Sequence, residues 1–184
     1  MKNKYIGIFD SGLGGLNSLK YILDIMPKEN TVFFGDTKNS PYGDKNKEEI
    51  ISLALHDIDV LSRYDLKAVV VACNTCDCNA MNQIKKHCIV PVFGVIDAAV
   101  RKALKTTENK KIGVMATEAT VRAGAYESRI KAADEEVEVF SIACPRPMET
   151  VVLPSPAGVG FTAVTRISFP SFSLLPITSS SGNI

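Results

Sequence analysis

The sequence predicts an α/β fold built on parallel sheets, and two observations support this prediction. Short apolar and β-branched runs alternate with longer segments of helical periodicity up to about residue 143. Several runs, such as AVVVA at 68–72, are continuously apolar, which is typical of strands that are covered on both faces. Repetition of strand, helix and strand indicates right-handed crossovers between parallel strands.

The predicted strands and helices follow one another along the chain. The strands are Tyr5–Phe9, Thr31–Phe34, Ala68–Ala72, Val90–Val95, Lys111–Met115 and Val137–Ile142. The helices are Lys47–Ser62, Asn74–His87, Asp97–Leu104 and Thr120–Ala132. The first of these helices is the clearest, because Ile51, Leu55 and Ile58 recur at helical spacing and predict its buried face.

The composition changes abruptly after Pro145. Residues 147–184 contain five Pro and seven Ser, and only Glu149 and Arg166 carry charge. Without a helical period, this Pro/Ser-rich tail is predicted to be irregular coil. The sequence leaves open a genuine loop-rich terminus and, favoured by the abrupt shift, a change of reading frame or a truncation near codon 146.

Charge and hydropathy exclude several classes of protein. Lys and Arg total 21 against 20 Asp and Glu, so the formal charge of +1 gives no electrostatic reason for binding nucleic acid or an anionic membrane. No apolar run reaches the roughly 18 residues that span a bilayer. The opening MKNKYIGIFDSG has no apolar stretch of signal-peptide length, so a cytoplasmic protein is expected.

The cysteines favour reduced thiols over a disulfide framework. Their number is odd, and four of the five fall within sixteen positions; they are Cys73, Cys76, Cys78, Cys88 and Cys144. A secreted framework more often spreads an even set along the chain. At least one thiol is therefore available for chemistry.

Polar and reactive residues follow the predicted strands at their carboxyl ends. The first strand runs into Asp10-Ser11-Gly12, the second into Gly35-Asp36-Thr37, the third into Cys73-Asn74-Thr75 and the fifth into Thr117. Ligands of open parallel sheets collect at this edge. The sequence therefore predicts one binding rim.

Cys73 is the strongest candidate at this rim, because it lies where a buried strand becomes a helix. Backbone N–H groups and the helix dipole favour a reactive thiolate there, whereas most free cysteines are small buried hydrophobes. Asn74 and Thr75 either cap the helix or donate hydrogen bonds to a substrate carboxylate, and the two roles are compatible.

Two other classes of site remain open alternatives. The loop Gly12-Leu13-Gly14-Gly15 resembles a nucleotide loop, and Asp36 suits a ribose contact, but Asn17 stands where a dinucleotide fingerprint needs glycine. The loop suits any small anion. A zinc or redox site needs Cys76 and Cys78 to converge, yet residues two apart on a helix face different ways. We therefore expect no metal.

Six motifs together resemble the glutamate racemases of the aspartate/glutamate racemase family. They are FDSGLGGL at 9–16, GDTKNSPYG at 35–43, ACNT at 72–75, GVI at 94–96, ATEAT at 116–120 and ACP at 143–145. The match covers about residues 5–145 in order. The tail does not match.

The resemblance implies two similar α/β domains, here 1–97 and an incomplete 98–145, followed by the divergent tail 146–184. It implies cofactor-independent interconversion of L- and D-glutamate, which supplies D-glutamate for peptidoglycan.

The resemblance also implies roles for individual residues. Cys73 would be one of two acid/base thiols, assisted by Asp10. The residues implied to hold substrate are Ser11, Tyr42, Gly43, Asn74, Thr75, Thr117 and Thr120. The implied partner is glutamate, without nucleic acid or membrane, and a homodimer is compatible with the resemblance.

The chain departs from the family pattern in two ways. Cys76 and Cys78 stand where the family has small residues, and we interpret them as packing groups. The second catalytic motif, Gly-Cys-Thr-His-Tyr-Pro, does not occur in the sequence, and Cys144 belongs to the separate ACP motif. The 184-residue chain is therefore expected to racemise glutamate poorly or not at all. The alternative is a non-catalytic α/β module that binds a small acid or a nucleotide.

Overall fold

The strands of this protein form two sheets with helices packed against them. The computed structural model describes residues 4–144 and, for the backbone alone, residues 151–154. The strands are Tyr5–Asp10 (β1), Asn30–Gly35 (β2), Leu66–Val71 (β3), Val92–Gly94 (β4), Lys111–Ala116 (β5), Glu138–Ala143 (β6) and Val151–Pro154 (β7). The helices are Leu16–Ile25 (α1), Lys47–Leu61 (α2), Asn74–His87 (α3), Ile96–Thr106 (α4), Glu118–Ala123 (α5) and Ala125–Ala133 (α6).

The first sheet has the order β2-β1-β3-β4 and is parallel throughout. Its two central strands are the most apolar, and Phe9 of β1 pairs with Val71 of β3, both fully buried. Helix α2 begins at a capping box in which Asn46 and Glu49 bond each other's backbone N–H groups. The predicted α/β class is therefore confirmed, and the first sheet is parallel as expected.

The buried face of α2 differs from the predicted one. Ile58 is buried as expected, but Ile51 and Leu55 are only half-buried. The buried residues of α2 are Ile50, Ala54, Asp57, Ile58 and Leu61, so the buried face is rotated by about one residue from the predicted one. The sequence did not predict this face because it includes Asp57, and a charged residue is ordinarily found on the exposed side of a helix.

The second sheet is mixed, with the order β6-β5-β7. Strand β5 pairs with β6 in parallel and with β7 in antiparallel orientation. The prediction of irregular coil after Pro145 is therefore wrong for residues 151–154. The remaining residues of the tail, 145–150 and 155–184, lie outside the described part of the chain, as does Pro145 of the ACP motif.

Two further elements differ from the sequence prediction. Helix α1 was not predicted, because apolar residues lie on both sides of it: Leu19 and Ile22 pack against the first sheet, whereas Leu23 and Ile25 are exposed. The helix predicted at Thr120–Ala132 is two helices, because Gly124 adopts φ +63° and ends α5. A left-handed residue of this kind terminates a helix and favours glycine.

The first sheet with α1, α2 and α3 forms one unit of the fold, and the second sheet with α4, α5 and α6 forms a second unit. A buried carboxylate on α3 joins the first unit to the second. Asp77 is 1% exposed, and its Oδ2 accepts the Ile96 N–H at 2.9 Å, where α4 begins. Its Oδ1 accepts from Arg129 Nη2 of α6 at 3.0 Å, and Arg129 Nη1 also reaches Asp97 at 2.9 Å. A Cβ on Gly94 would lie 2.1 Å from Asp77 Oδ2, so glycine is required there.

Within the described residues, no helix has both the length and the apolar character needed to cross a membrane.

Replacing this carboxylate should destabilise the fold. In an Asp77→Ala variant, a buried backbone N–H loses its acceptor and the half-buried Arg129 guanidinium loses one of its two carboxylate partners. An unsatisfied buried donor costs about 1–3 kcal/mol. Urea denaturation should therefore show a free energy of unfolding lower by that amount. The matched control is Asp97→Ala, which removes an exposed carboxylate from the same arginine and should cost less than about 1 kcal/mol. Equal losses in both variants would contradict the role of Asp77.

Candidate functional site

The amino end of α3 lies at the carboxyl edge of the first sheet, and Cys73 forms its N-cap. The Cys73 backbone is extended (φ −86°, ψ 116°), and its Sγ accepts the Cys76 N–H at 3.4 Å. Strand β1 ends beside β3 and carries Ser11, whose Oγ lies 3.1 Å from Cys73 Sγ. A sulfur thus replaces the side-chain oxygen that usually caps a helix. Asn74 and Thr75 are already inside the helix, so neither caps it.

The hydrogen bonds around Cys73 favour its thiolate. A hydrogen bond from the Cys76 thiol contributes most to lowering the pKa of Cys73, and bonds from Ser11 and the Cys76 N–H act in the same direction. Burial and the negative charge of Asp10 oppose them without reversing the shift. Burial raises the pKa of Cys76 well above its usual value and that of Cys78 to about 12.

Asp10 lies next to this thiol at the end of β1. Its Oδ2 accepts the Gly12 N–H at 3.0 Å, and its side chain is 8% exposed. The loop folds tightly over it, since a Cβ on Gly15 would lie 2.8 Å from the Asp10 Cβ. The carboxylate is therefore held near Cys73, where its charge disfavours the thiolate and so favours return of a proton to sulfur.

Three threonine hydroxyls from both units meet beside the start of α3. Thr75 Oγ1 lies 3.1 Å from Thr117 Oγ1 and 3.3 Å from Thr120 Oγ1, and the last two are 3.0 Å apart. We call these three residues the threonine triad. Thr117 also caps α5 through the Thr120 N–H. Hydroxyl groups rotate to suit a partner, so the triad is equipped to donate to an anionic group.

Asn74 and Gly43 flank the threonine triad. The Tyr126 hydroxyl donates to Asn74 Oδ1 at 2.6 Å, so Asn74 can offer a ligand only the N–H groups of its amide. Gly43 O accepts the Ala119 N–H at 3.0 Å, and a Cβ on Gly43 would lie 2.7 Å from the Thr117 side chain. The backbone of this loop therefore contacts α5 directly.

The Tyr42 side chain points into the interior and not toward the rim. Its hydroxyl is therefore not placed to contact a substrate directly. Tyr42 is 1% exposed, and its Oη lies 2.6 Å from Asp36 Oδ2 and 3.0 Å from Asp57 Oδ2. A phenol has one proton to share between two carboxyl oxygens, so this arrangement favours a proton on one of the two carboxyls. Only the backbone of Tyr42 is left to contact a substrate.

Asp57 is the carboxyl that keeps this proton. It is fully buried, and its Oδ1 has no hydrogen-bond partner. Burial, the largest influence, raises the pKa of Asp57 to about 7. Burial acts the same way on Asp36, but hydrogen bonds from Tyr42 and Asn39 outweigh it and lower the pKa of Asp36.

The contacts of Asp36 and the cysteines weigh against the alternative sites. Both Asp36 oxygens accept bonds from Asn39 or Tyr42, so this residue does not reach out to a ribose. Cys76 packs in the first core, which lies between the first sheet and helices α2 and α3. Cys78 packs against the second core, which is formed by α4, β5 and α6, so the two cysteines face different ways as their spacing predicted. Residues 4–144 contain no group of three or more His, Cys, Asp or Glu side chains placed to hold a metal ion.

Sequence reasoning missed two residues at or near the site. Tyr126, which bonds Asn74, carries no signal in the sequence beyond its place in a helix. Asp57 does carry one, because it recurs with Ile50, Ala54 and Leu61 on an otherwise apolar helix face. An acid on such a face is worth noting, since a buried charge needs a partner.

Comparison with known proteins places these features in a family. Residues 25–158 match the family model described as Asp/Glu/Hydantoin racemase. A curated glutamate racemase of Geobacter metallireducens is 44% identical over 142 residues, which cover 77% of this chain and 53% of that protein. The chain therefore spans about half the length of the curated relatives it matches.

Solved structures give the same result. Glutamate racemase RacE1 of Bacillus anthracis superposes with a TM-score of 0.76 and 37% identity, covering 79% of this chain and 55% of that one. The Francisella tularensis glutamate racemase, solved in complex with D-glutamate, has a TM-score of 0.71 and 34% identity, covering 77% and 53%.

We expect the Ser11→Ala variant to raise the pKa of Cys73, because the thiolate loses a hydrogen bond. Iodoacetamide labelling as a function of pH, read by mass spectrometry, should show Cys73 ionising at lower pH than Cys76, Cys78 and Cys88. The variant should move its labelling midpoint upward. Ser62→Ala, which removes a hydroxyl at the end of α2, should leave the midpoint unchanged. If Cys76 is labelled faster than Cys73, the assignment of the reactive thiol is wrong.

The buried carboxyl predicts a pH-dependent stability. Folded Asp57 keeps its proton up to about pH 7, whereas the unfolded residue loses it near 3.8. Between these values the folded state binds the extra proton, so its contribution to stability falls as the pH rises. Asp57→Asn stays neutral and should gain stability relative to wild type between pH 5 and pH 8 in urea denaturation.

Asp24→Asn, an exposed position on α1, is the matched control and should follow the wild-type pH trend. If the difference between Asp57→Asn and wild type is the same at pH 5 and pH 8, Asp57 is ionised in the fold at both pH values.

Proposed function

The chain belongs to the Asp/Glu/Hydantoin racemase family, and on that premise we propose that it performs the cysteine acid/base chemistry of a glutamate racemase. Cys73 is the proton-transferring thiol. The observation that carries this proposal is the position of Cys73 at the N-cap of α3, with its Sγ bonded to Ser11 and to the Cys76 N–H. The curated relatives named glutamate racemase support glutamate as the substrate.

The chemistry assigns a role to each neighbouring group. The Cys73 thiolate takes the weakly acidic α-proton of glutamate, and the same sulfur then holds it for return. The threonine triad and the Asn74 amide donate to the substrate carboxylates, which stabilises the carbanion as its charge develops. Asp10 makes the thiolate less favourable and so promotes uptake of the α-proton by the sulfur. This set of groups needs no cofactor.

Inversion also requires an acid/base group on the opposite face of the α-carbon. Cys73 serves one face, and the Gly-Cys-Thr-His-Tyr-Pro motif does not occur among the 184 residues. Cys144 lies at the end of β6, where its N–H bonds Ala116 O, and it belongs to a different motif. The 184-residue chain is therefore a one-sided catalyst of proton exchange.

The same proposal covers organisation and biological role. A first domain at 1–97 supplies Cys73 and a second, beginning at 98, supplies Thr117 and Thr120. The two Thr residues meet Thr75 across this boundary, which supports a cleft between domains. In a racemase that has an acid/base group on both faces, the product D-glutamate serves peptidoglycan synthesis, cell-wall biogenesis and cell shape. We propose the cytoplasm as the compartment of this protein and a homodimer as its assembly.

The test is exchange of the α-proton in deuterated water with each glutamate enantiomer separately. The 184-residue chain should incorporate deuterium into one enantiomer and should interconvert the two at well below about 1 per second. Cys73→Ser should lower the exchange rate roughly a hundred- to ten-thousandfold, because the positioned acid/base group is lost. Chiral chromatography with mass spectrometry measures both quantities.

Cys88→Ala is the matched control, because it removes a thiol at the far end of α3 and should retain exchange. Interconversion at about 1 per second or faster would mean that another residue serves the second face. Binding of glutamate without any exchange would favour the non-catalytic module.

A further inference from the structure

A second thiol lies directly against the proposed acid/base thiol. Cys76 follows Cys73 by three positions, in the first turn of the 14-residue helix α3. The Cys76 N–H donates to Cys73 Sγ at 3.4 Å, and both residues belong to the same buried cluster. Cys73 at the N-cap and Cys76 three positions later lie one helical turn apart, which brings the two side chains to the same side of the start of α3.

The two thiols differ in the way that a reactive and a resolving cysteine differ. Cys73 lies at the rim end of the same core, is 4% exposed and bonds to Ser11, and its hydrogen bonds lower its pKa. Cys76 is fully buried in the first core, and burial raises its pKa well above the usual value. The thiolate form attacks an oxidant, whereas the protonated neighbour remains as the group that completes the disulfide.

We propose that Cys73 and Cys76 form a reversible thiol–disulfide site, in which oxidation withdraws Cys73 from proton transfer. The disulfide follows from the one-turn spacing of the two cysteines and from the bond between the Cys76 N–H and Cys73 Sγ. Only its consequence for turnover rests on the proposed function of Cys73. Racemase-like chemistry at this rim is thereby switched off by oxidation and restored by a thiol reductant.

The oxidant is a hydroperoxide, of which hydrogen peroxide is the smallest. The Cys73 thiolate attacks one peroxide oxygen, the O–O bond breaks, and hydroxide leaves to take up a proton as water. This step oxidises Cys73 to a sulfenic acid and reduces the peroxide by two electrons. The Cys76 sulfur then attacks Cys73 Sγ, the S–O bond breaks, and the hydroxyl leaves with the Cys76 proton as a second water.

Cys76 is better placed for this second step than Cys78. Cys78 follows two positions later on α3 and packs against the second core, away from the first-core position of Cys76. The resolving thiol protects Cys73, because a sulfenic acid without a partner oxidises further to a sulfinic acid that ordinary thiols do not reduce.

The experiment treats the full chain with hydrogen peroxide and maps the thiols by mass spectrometry after alkylation and tryptic digestion. Residues 68–85 form one tryptic peptide, which holds Cys73, Cys76 and Cys78. In wild type this peptide should lose two hydrogens, resist fragmentation between residues 73 and 76, and carry one alkyl group on Cys78. Dithiothreitol should restore the reduced peptide.

The matched variants are Cys76→Ala and Cys78→Ala. Cys76→Ala should proceed to sulfinic acid at Cys73 and fail to recover with dithiothreitol, whereas Cys78→Ala should behave as wild type. Where Cys76→Ala does not fold, Cys76→Ser provides the same test, since a hydroxyl cannot resolve the sulfenic acid. Equal accumulation of Cys73 sulfinic acid in wild type, or a disulfide that joins another pair, would overturn the proposal.

Turnover is a separate readout. Oxidised wild type should lose α-proton exchange roughly a hundredfold or more and regain it with dithiothreitol. If the disulfide forms but the reduced chain exchanges no proton, the thiol–disulfide site stands and the proposed function fails. If exchange is unchanged by the disulfide, the site does not regulate turnover, and that part of the proposal is wrong.

Discussion

The parallel pairing of β1 with β3 is the constraint on which the candidate site depends. Phe9 pairs with Val71, and the Ala72 N–H bonds Phe9 O at 2.9 Å, so both strands end at the same level. That alignment puts Ser11 3.1 Å from Cys73 Sγ, although 62 positions separate them in sequence. A shift of this register by one residue would turn every side chain to the other face of the sheet and break up the site.

Helix α3 extends this constraint from the first sheet to the second unit. Its first residues carry the reactive thiol and Thr75, and its next turn carries Asp77 and Asn79. Asn79 Nδ2 donates to the carbonyls of Thr75 and Ala119, and Asp77 receives Arg129. The helix that begins at Cys73 therefore also bonds to α5 and α6, so the orientation of the thiol is coupled to the position of these helices.

The sequence was sufficient for strands β1 to β6 and for the position of Cys73 at the start of a helix, because buried parallel strands are long apolar runs and their ends are marked by polar residues. It was insufficient wherever a side chain's direction depends on distant partners. Tyr42 is in a motif that suggests a rim residue, yet its hydroxyl is drawn into the interior by Asp36 and Asp57. The pairing of Tyr126 with Asn74 spans 52 positions and depends on how α6 packs. Strand β7 lies in a segment whose composition resembles coil, and only pairing with β5 defines it.

If the threonine triad binds substrate as proposed, it would affect selectivity more than affinity. Its hydroxyls already satisfy one another within 3.3 Å, so an incoming carboxylate exchanges one set of hydrogen bonds for another, and the net gain per bond is small. Discrimination would have a different origin. A ligand that separates the three hydroxyls without bonding each of them would leave buried hydroxyls without partners, which is costly. Under the proposed function, the triad would therefore reject poorly matched acids more strongly than it holds the matching one.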